Sequence, residues 1–185
     1  MKIYRNLVFA LVLGFGISCV PAEEKLALEK LPYFDLKSFL DLEISKLDSV
    51  LVTKTSRING QESVVDTLYR EEDWKEEFEV FYQADINLPS LVASYSTDAK
   101  FDLLIHELIP GEKGKVKQLV VRFAGNYPGS VSFKMSEENL FFSTTTLGEF
   151  YLNQQTQKLD HYTIETTQKV IFMKPTNIKI QGIIK

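Results

Sequence analysis

The sequence predicts an α+β fold, in which two amphipathic helices and a β-hairpin are followed by a curved antiparallel β-meander. Two segments, 36–47 and 70–84, repeat apolar residues at helical spacing. Asn59-Gly60 separates two β-rich segments. From Leu91 onward, short runs with alternating apolar residues are divided by turn residues. These three patterns predict helix, hairpin, helix and then a sheet.

Asp35 is well placed to cap the first helix, which the spacing predicts to end near Leu47. The predicted apolar face consists of Leu36, Phe39, Leu40, Ile44 and Leu47. The hairpin follows, with predicted strands at 50–58 and 61–69. An Asn-Gly pair favours the tight turn that joins such strands.

The second predicted helix covers residues 70–84 and carries an aromatic stripe at i, i+4, i+7 and i+8. The stripe consists of Trp74, Phe78, Phe81 and Tyr82. It is typical of a helix that packs on a sheet. The alternative is that these four residues form a face for a ligand or a partner. Pro89 follows the segment and is typical of a helix end.

The rest of the chain is predicted to form strands. The candidate segments are 91–97, 101–109, 116–124, 130–135, 140–146, 149–153, 159–167, 170–173 and 178–184. The links between them are too short for crossover helices, which favours an antiparallel sheet of roughly seven to nine strands. One face of this sheet is largely polar, so we expect the helices to cover the other.

Composition excludes several classes of function. The 185 residues carry a net charge of −4, which leaves no broad basic surface for nucleic acid. One cysteine excludes an intramolecular disulfide framework, and two histidines are too few for most transition-metal sites. We therefore expect no cofactor, no metal and no nucleic-acid partner.

The first 19 residues have the pattern of a secretory leader. Lys2 and Arg5 form a basic start, Leu7 to Phe15 form an apolar stretch, and small residues lead to Cys19. The Gly-Ile-Ser-Cys ending resembles a bacterial lipoprotein signal, which implies that Cys19 is acylated and anchors the chain in a lipid bilayer.

The resemblance divides the chain into a signal peptide (1–18), a lipidated cysteine with a tether (19–33) and a single α+β domain (34–185). Removal of the leader takes away two of the 21 basic side chains but none of the 25 acidic ones, so the charge becomes −6. The residue after the cysteine is Val20 and not Asp, and by resemblance to lipoprotein sorting in Gram-negative bacteria this implies the outer membrane over the inner one, on either its periplasmic or its surface side. The alternatives are a plain signal peptide and an uncleaved anchor.

The chain offers no convincing catalytic residue. His106 lies within a predicted strand, where pairing with a cross-strand polar group is the expected role. His161 follows Asp160, but adjacent strand residues point to opposite faces. The loop at 111–115 lacks the Gly-Lys-Ser/Thr ending of a phosphate-binding loop.

These observations favour a non-catalytic cell-envelope lipoprotein that binds or helps to assemble an outer-membrane or periplasmic protein partner. The alternative is a carrier or sensor of a lipid or other apolar ligand. The predicted plan of helices over a curved sheet is similar to that of periplasmic lipoprotein-carrier folds. A cavity between the Trp74/Phe78 helix and the sheet would favour the carrier, and a filled core would favour the binding module. An enzyme would need two carboxylates in an open cleft.

Overall fold

The structure is a computed structural model that describes residues 31–47 and 49–185. Nine strands form one antiparallel sheet. They are β1 (Val50–Ile58), β2 (Gln61–Tyr69), β3 (Tyr95–Ala99), β4 (Leu103–Leu108), β5 (Val116–Ala124), β6 (Tyr127–Glu138), β7 (Phe142–Leu152), β8 (Leu159–Val170) and β9 (Thr176–Ile184).

The strand order is β2-β1-β9-β8-β7-β6-β5-β4-β3. The hairpin that the Asn-Gly pair predicts is present, since Ile58 pairs with Gln61 across the turn. The seven later strands form the predicted meander. The two parts join in one sheet because β1 pairs with β9, where Thr55 lies opposite Gln181.

The described residues contain three short α-helices: α1 (Leu36–Ile44), α2 (Glu71–Glu77) and α3 (Glu79–Tyr82). A 3₁₀ turn at Pro89–Leu91 precedes β3. Asp35 caps α1 as predicted, because its side chain accepts from the backbone N–H of Ser38 at 3.0 Å.

The predicted α+β class is wrong: the fold is dominated by the sheet, and its helices are short. The second helix is broken at Phe78, whose backbone (φ −95°, ψ 11°) leaves the helical range. Apolar spacing does not reveal such a break, because Trp74, Phe78 and Phe81 all face the sheet on both sides of it. Several strands are also longer than predicted. For example, most of the two predicted segments 140–146 and 149–153 belongs to the single strand β7.

One face of the sheet packs against the helices and forms the core. Its largest buried side chains are Trp74, Tyr162, Phe78, Phe81, Phe150, Leu36 and Leu40. Tyr33, at the end of the predicted tether, is also buried in this core. We call the opposite face, which carries polar side chains such as Thr163, Glu165 and Lys179, the open face.

Two turns at one end of the sheet matter below. Strands β6 and β8 run in the same direction, so the turns that follow them, at 139–141 and 171–175, lie at the same end of the sheet, which we call the tip end. The described chain begins beside β3 and β4, because the Tyr33 hydroxyl accepts from the backbone N–H of Tyr95 and the Phe34 N–H donates to His106. The β3–β4 turn, with Phe101, lies at the opposite end.

Candidate binding groove beside the short helices

The aromatic stripe lies mainly in the core. Trp74, Phe78 and Phe81 are fully buried, and Tyr82 is half-buried. The Tyr82 hydroxyl donates to Asp41 Oδ1 at 2.7 Å, which ties α3 to α1. Burial and this hydrogen bond raise the pKa of Tyr82. Of the four stripe residues, only Tyr82 is accessible to a ligand or a partner.

Aromatic rings fill the space between the stripe and the sheet. The ring centroids of Phe78 and Tyr162 are 5.1 Å apart, and Phe81 lies 5.1 Å from Phe133 and 5.2 Å from Phe150. Edge-to-face contacts at these distances are close packing. The position where a carrier would hold an apolar ligand is therefore occupied by the protein's own side chains.

A groove of about 700 Å³ opens beside α2 and α3. Its lining residues are Lys54, Tyr69, Asp73, Glu76, Glu77, Glu79, Val80, Gln83, Ile164, Thr166 and Ile180. Ile164 and Ile180 provide an apolar floor, whereas the helices contribute four carboxylates. None of the described Lys or Arg side chains forms an ion pair with Asp73, Glu76 or Glu79. The exposed wall of the groove is therefore strongly acidic.

The fourth carboxylate, Glu77, is held at the base of the groove by three donors from the sheet. Tyr162 donates to Oε1 at 2.8 Å, while Tyr69 and Lys54 donate to Oε2 at 3.0 and 2.5 Å. Together these bonds pin α2 to strands β1, β2 and β8. Glu77 is 10% exposed and Lys54 27%, so the ion pair is largely shielded from solvent.

The network also fixes the protonation of its members. Burial opposes the charge of Lys54, but the hydrogen bond and the charge of Glu77 outweigh it and raise the pKa of the lysine. Burial, followed by the charge of Glu77, raises the pKa of Tyr69 and of Tyr162. At neutral pH the lysine is therefore charged and both phenols are protonated, as donors to a carboxylate must be.

A second cavity of about 450 Å³ adjoins the groove, and Gln83 lines both. The Thr146 hydroxyl, in the second cavity, lies 3.1 Å from that of Thr166, in the groove. The other lining residues are Lys115, Met135, Ser136, Glu137 and Thr144. The polar surface therefore continues from the acidic wall along strands β6 and β7.

His106 has a structural role. Its ring is buried, and Nδ1 lies 2.9 Å from the Thr97 hydroxyl on the neighbouring strand, which confirms the predicted cross-strand pairing. The backbone N–H of Phe34 donates to Nε2 at 3.2 Å, so this nitrogen is unprotonated. Burial lowers the pKa of His106, in agreement with a neutral ring. The histidine attaches the start of the domain to β4.

His161 departs from its predicted geometry. Its Nδ1 lies 2.7 Å from Asp160 Oδ2, although adjacent strand residues normally point to opposite faces. The pairing of β7 with β8 shifts register between Tyr151 and Leu152, so Asp160 falls outside the regular ladder. His161 also stacks on Tyr151, with ring centroids 4.4 Å apart.

A cavity of about 410 Å³ on the open face brings two carboxylates, Glu149 and Glu165, into one lining. Glu165 accepts from the Asn177 amide at 3.0 Å and lies 4.0 Å from Lys179. A hydrogen bond to Glu149, together with burial, raises the pKa of Tyr151 to about 12. The two carboxylates that the enzyme alternative requires thus share a cavity, each already held by a donor.

Sequence reasoning missed the Glu77 network. Glu77 lies within a run of acidic residues whose pattern indicates a solvated helix face. Its partners Lys54 and Tyr162 are far away in the sequence and meet it only through the sheet order. No local pattern in the sequence carries that information.

The predicted lipidation site, Cys19, lies outside the described residues. Within the described part of the chain, no group of His, Cys, Asp and Glu side chains could hold a metal ion. No helix there is long and apolar enough to cross a bilayer. No protein-family model, curated protein or solved structure matches this chain, so the functional conclusion depends on the contacts described above.

Proposed function

We propose that this protein is a cell-envelope lipoprotein, anchored through Cys19, whose folded domain binds a partner protein in the acidic groove. The observation that carries the proposal is the groove itself: a cavity of about 700 Å³ with an apolar floor and a wall whose exposed carboxylates form no ion pair with the described Lys and Arg side chains. Its chemistry fits a basic, partly apolar segment of a partner, because complementary charge gives specificity and speeds association.

The packing of the core favours a binding module over a carrier. A carrier needs a preformed apolar cavity for its ligand. Here Phe78 and Phe81 occupy the space between helix and sheet, and the adjoining groove is lined by charged side chains. Partner binding therefore uses surfaces that the structure presents, whereas ligand storage beneath the helices would require the core to open.

The anchor predicts the outcome of Cys19→Ser. The variant is expected to abolish incorporation of labelled palmitate and to leave an uncleaved precursor, because the thiol is the acceptor for the lipid. Metabolic labelling followed by electrophoresis measures both. Ser18→Ala, beside the cysteine, is the matched control and is expected to keep the label. Continued labelling of Cys19→Ser would contradict the lipid anchor.

The groove predicts the effect of Glu76→Gln/Glu79→Gln. These exposed substitutions are expected to leave stability within about 0.5 kcal/mol and to weaken partner binding, because they remove two charges from the wall. The measurement is quantitative mass spectrometry of proteins co-purified with the tagged, membrane-anchored chain.

Glu71→Gln/Glu72→Gln is the matched control, since it also removes two carboxylate charges from the short helices but neither residue lines the groove. We expect a partner that the control retains and the groove variant loses, with the largest difference at low salt, because high salt screens the attraction in the control as well. Equal retention by both variants would contradict the groove as the binding surface.

A further inference from the structure

Two neighbouring turns at the tip end expose a cluster of large apolar side chains. The β6–β7 turn carries Leu140 and Phe141, which are 87% and 67% exposed. The β8–β9 turn carries Ile171, Phe172 and Met173, of which Phe172 is 100% exposed. The backbone N–H of Ile171 donates to the carbonyl of Phe141 at 2.8 Å, so the two turns are joined. We call these five residues the apolar tip.

The first turn is held rigidly with its apolar side chains outward. The Asn139 side chain accepts from the backbone N–H groups of Phe141 and Phe142 at 2.8 and 3.0 Å. The backbone N–H of Asn139 donates to the carbonyl of Phe142 at 2.9 Å. The exposure of Leu140 and Phe141 is therefore built into a closed turn, not produced by a loose loop.

Folding gives no reason for a phenylalanine at position 172. Its backbone has φ +63°, in the left-handed region that favours Gly or Asn over a bulky side chain. Its ring is fully exposed and so gains no stability from the core. Neither the backbone conformation nor core packing explains a bulky side chain here, which indicates that Phe172 contacts something other than its own domain.

The shape of the apolar tip fits a lipid bilayer. A protein partner would have to supply a pocket for each protruding ring, whereas a bilayer admits protruding apolar side chains without matching shape. Lys169 and Lys174 flank Phe172, and Glu137 and Glu138 precede Leu140. With both signs of charge beside the tip, apolar contact would dominate the interaction over attraction to anionic lipid.

The length of chain before the domain also allows the tip to reach the anchoring membrane. The described chain begins beside β3 and β4, where Tyr33 bonds to Tyr95 and Phe34 to His106, about level with the middle of β6. Cys19 precedes Leu31 by 12 residues, which span at most about 40 Å when fully extended. A tether of this length allows the tip end of the domain to reach the bilayer that holds an acyl chain on Cys19.

From these observations we infer that the apolar tip inserts into the membrane in which Cys19 is anchored. The inference depends on the proposed lipoprotein anchor and adds a second, reversible contact. The lipid anchor and the inserted tip together fix the orientation of the domain relative to the membrane, whereas a flexible tether alone does not. They would hold the domain in a defined orientation, with the groove at a set height above the bilayer.

The test uses tryptophan as a depth probe in the full-length lipidated chain, reconstituted into phosphatidylcholine vesicles with brominated acyl chains. The only native tryptophan, Trp74, is fully buried and provides a constant background. Phe172→Trp places a second one in the tip. Phe101→Trp is the matched control, because Phe101 is equally exposed but lies at the opposite end of the sheet.

We expect brominated lipid to reduce the added emission of Phe172→Trp by roughly twofold or more, since bromines near the headgroup boundary quench an interfacial ring. The control is expected to stay unquenched. Phe172→Gly is expected to fold at least as well as the wild type. On vesicles, the backbone amides of its tip are expected to exchange hydrogen faster than those of the wild type. Equal quenching at both positions, or none at Phe172→Trp, would overturn the inference.

Flotation of the same vesicles separates this inference from the proposed function. If the chain floats with the lipid but Phe172→Trp is not quenched, the anchor stands and the tip contact is refuted. If the wild-type chain does not float, the anchor itself fails. A blue-shifted but unquenched Phe172→Trp would mean burial against protein and would also refute insertion.

Discussion

Replacing Trp74 with alanine is expected to lower the free energy of unfolding by about 3–5 kcal/mol. The indole is fully buried, with ring centroids 4.9 Å from Tyr69, 5.5 Å from Phe78 and 6.1 Å from Tyr162. Its N–H has no acceptor among the described residues. The loss therefore comes from packing and from the cavity left between α2 and the sheet, not from a hydrogen bond.

Urea denaturation followed by circular dichroism measures this loss, because the variant has no tryptophan to report by fluorescence. Phe101→Ala is the control. Its ring is fully exposed, so its removal is expected to change stability by less than about 0.5 kcal/mol. A near-neutral Trp74→Ala would contradict the core position and return Trp74 to a binding role.

Patterns within a few residues predicted the local elements well. Asp35 before an apolar repeat marks the start of α1, and Asn59-Gly60 marks the turn of the β1–β2 hairpin. Each of these signals involves residues only a few positions apart, so the local sequence is sufficient to predict the helix start and the hairpin turn. The antiparallel meander was predictable for the same reason, since short links permit little else.

Features that depend on distant contacts were not predictable. The pairing of β1 with β9 joins the two parts of the sheet, yet no local pattern distinguishes this edge from the one at β3. The break at Phe78 leaves the apolar spacing intact while it shortens the helix. The groove depends on both, because α2 and α3 form its wall and β1, β8 and β9 form its floor.

The apolar tip is a different case, because its residues were visible in the sequence but assigned to predicted strands. Phe172 and Met173 end an apolar run that reads as a strand, and Leu140 begins another. The structure places them in turns. Hydrophobicity alone does not separate a buried strand from an exposed turn, so their accessibility became evident only from the fold.

Gly182→Ala is the second substitution for which we expect a large effect, a loss of about 3 kcal/mol in the free energy of unfolding. A Cβ at this position would overlap Cε1 and Cζ of Tyr162, which pairs with Gly182 across β8 and β9. The ring cannot move aside easily, because it is buried against Phe78 and its hydroxyl donates to Glu77. Chemical denaturation of the variant measures the loss.

A double-mutant cycle identifies the cause. In a Tyr162→Leu background, the cost of Gly182→Ala is expected to fall well below its wild-type value, because the overlapping ring atoms are gone. Gly129→Ala is the strand-glycine control. Its Cβ would lie 3.3 Å from Ala124 Cβ, so we expect a loss below about 1 kcal/mol. An equal cost of Gly182→Ala in both backgrounds would mean that the glycine does not serve to admit the Tyr162 ring. The hydrogen bond from the Tyr162 hydroxyl to Glu77, which pins α2 beside the groove, would then not depend on the absence of a side chain at position 182.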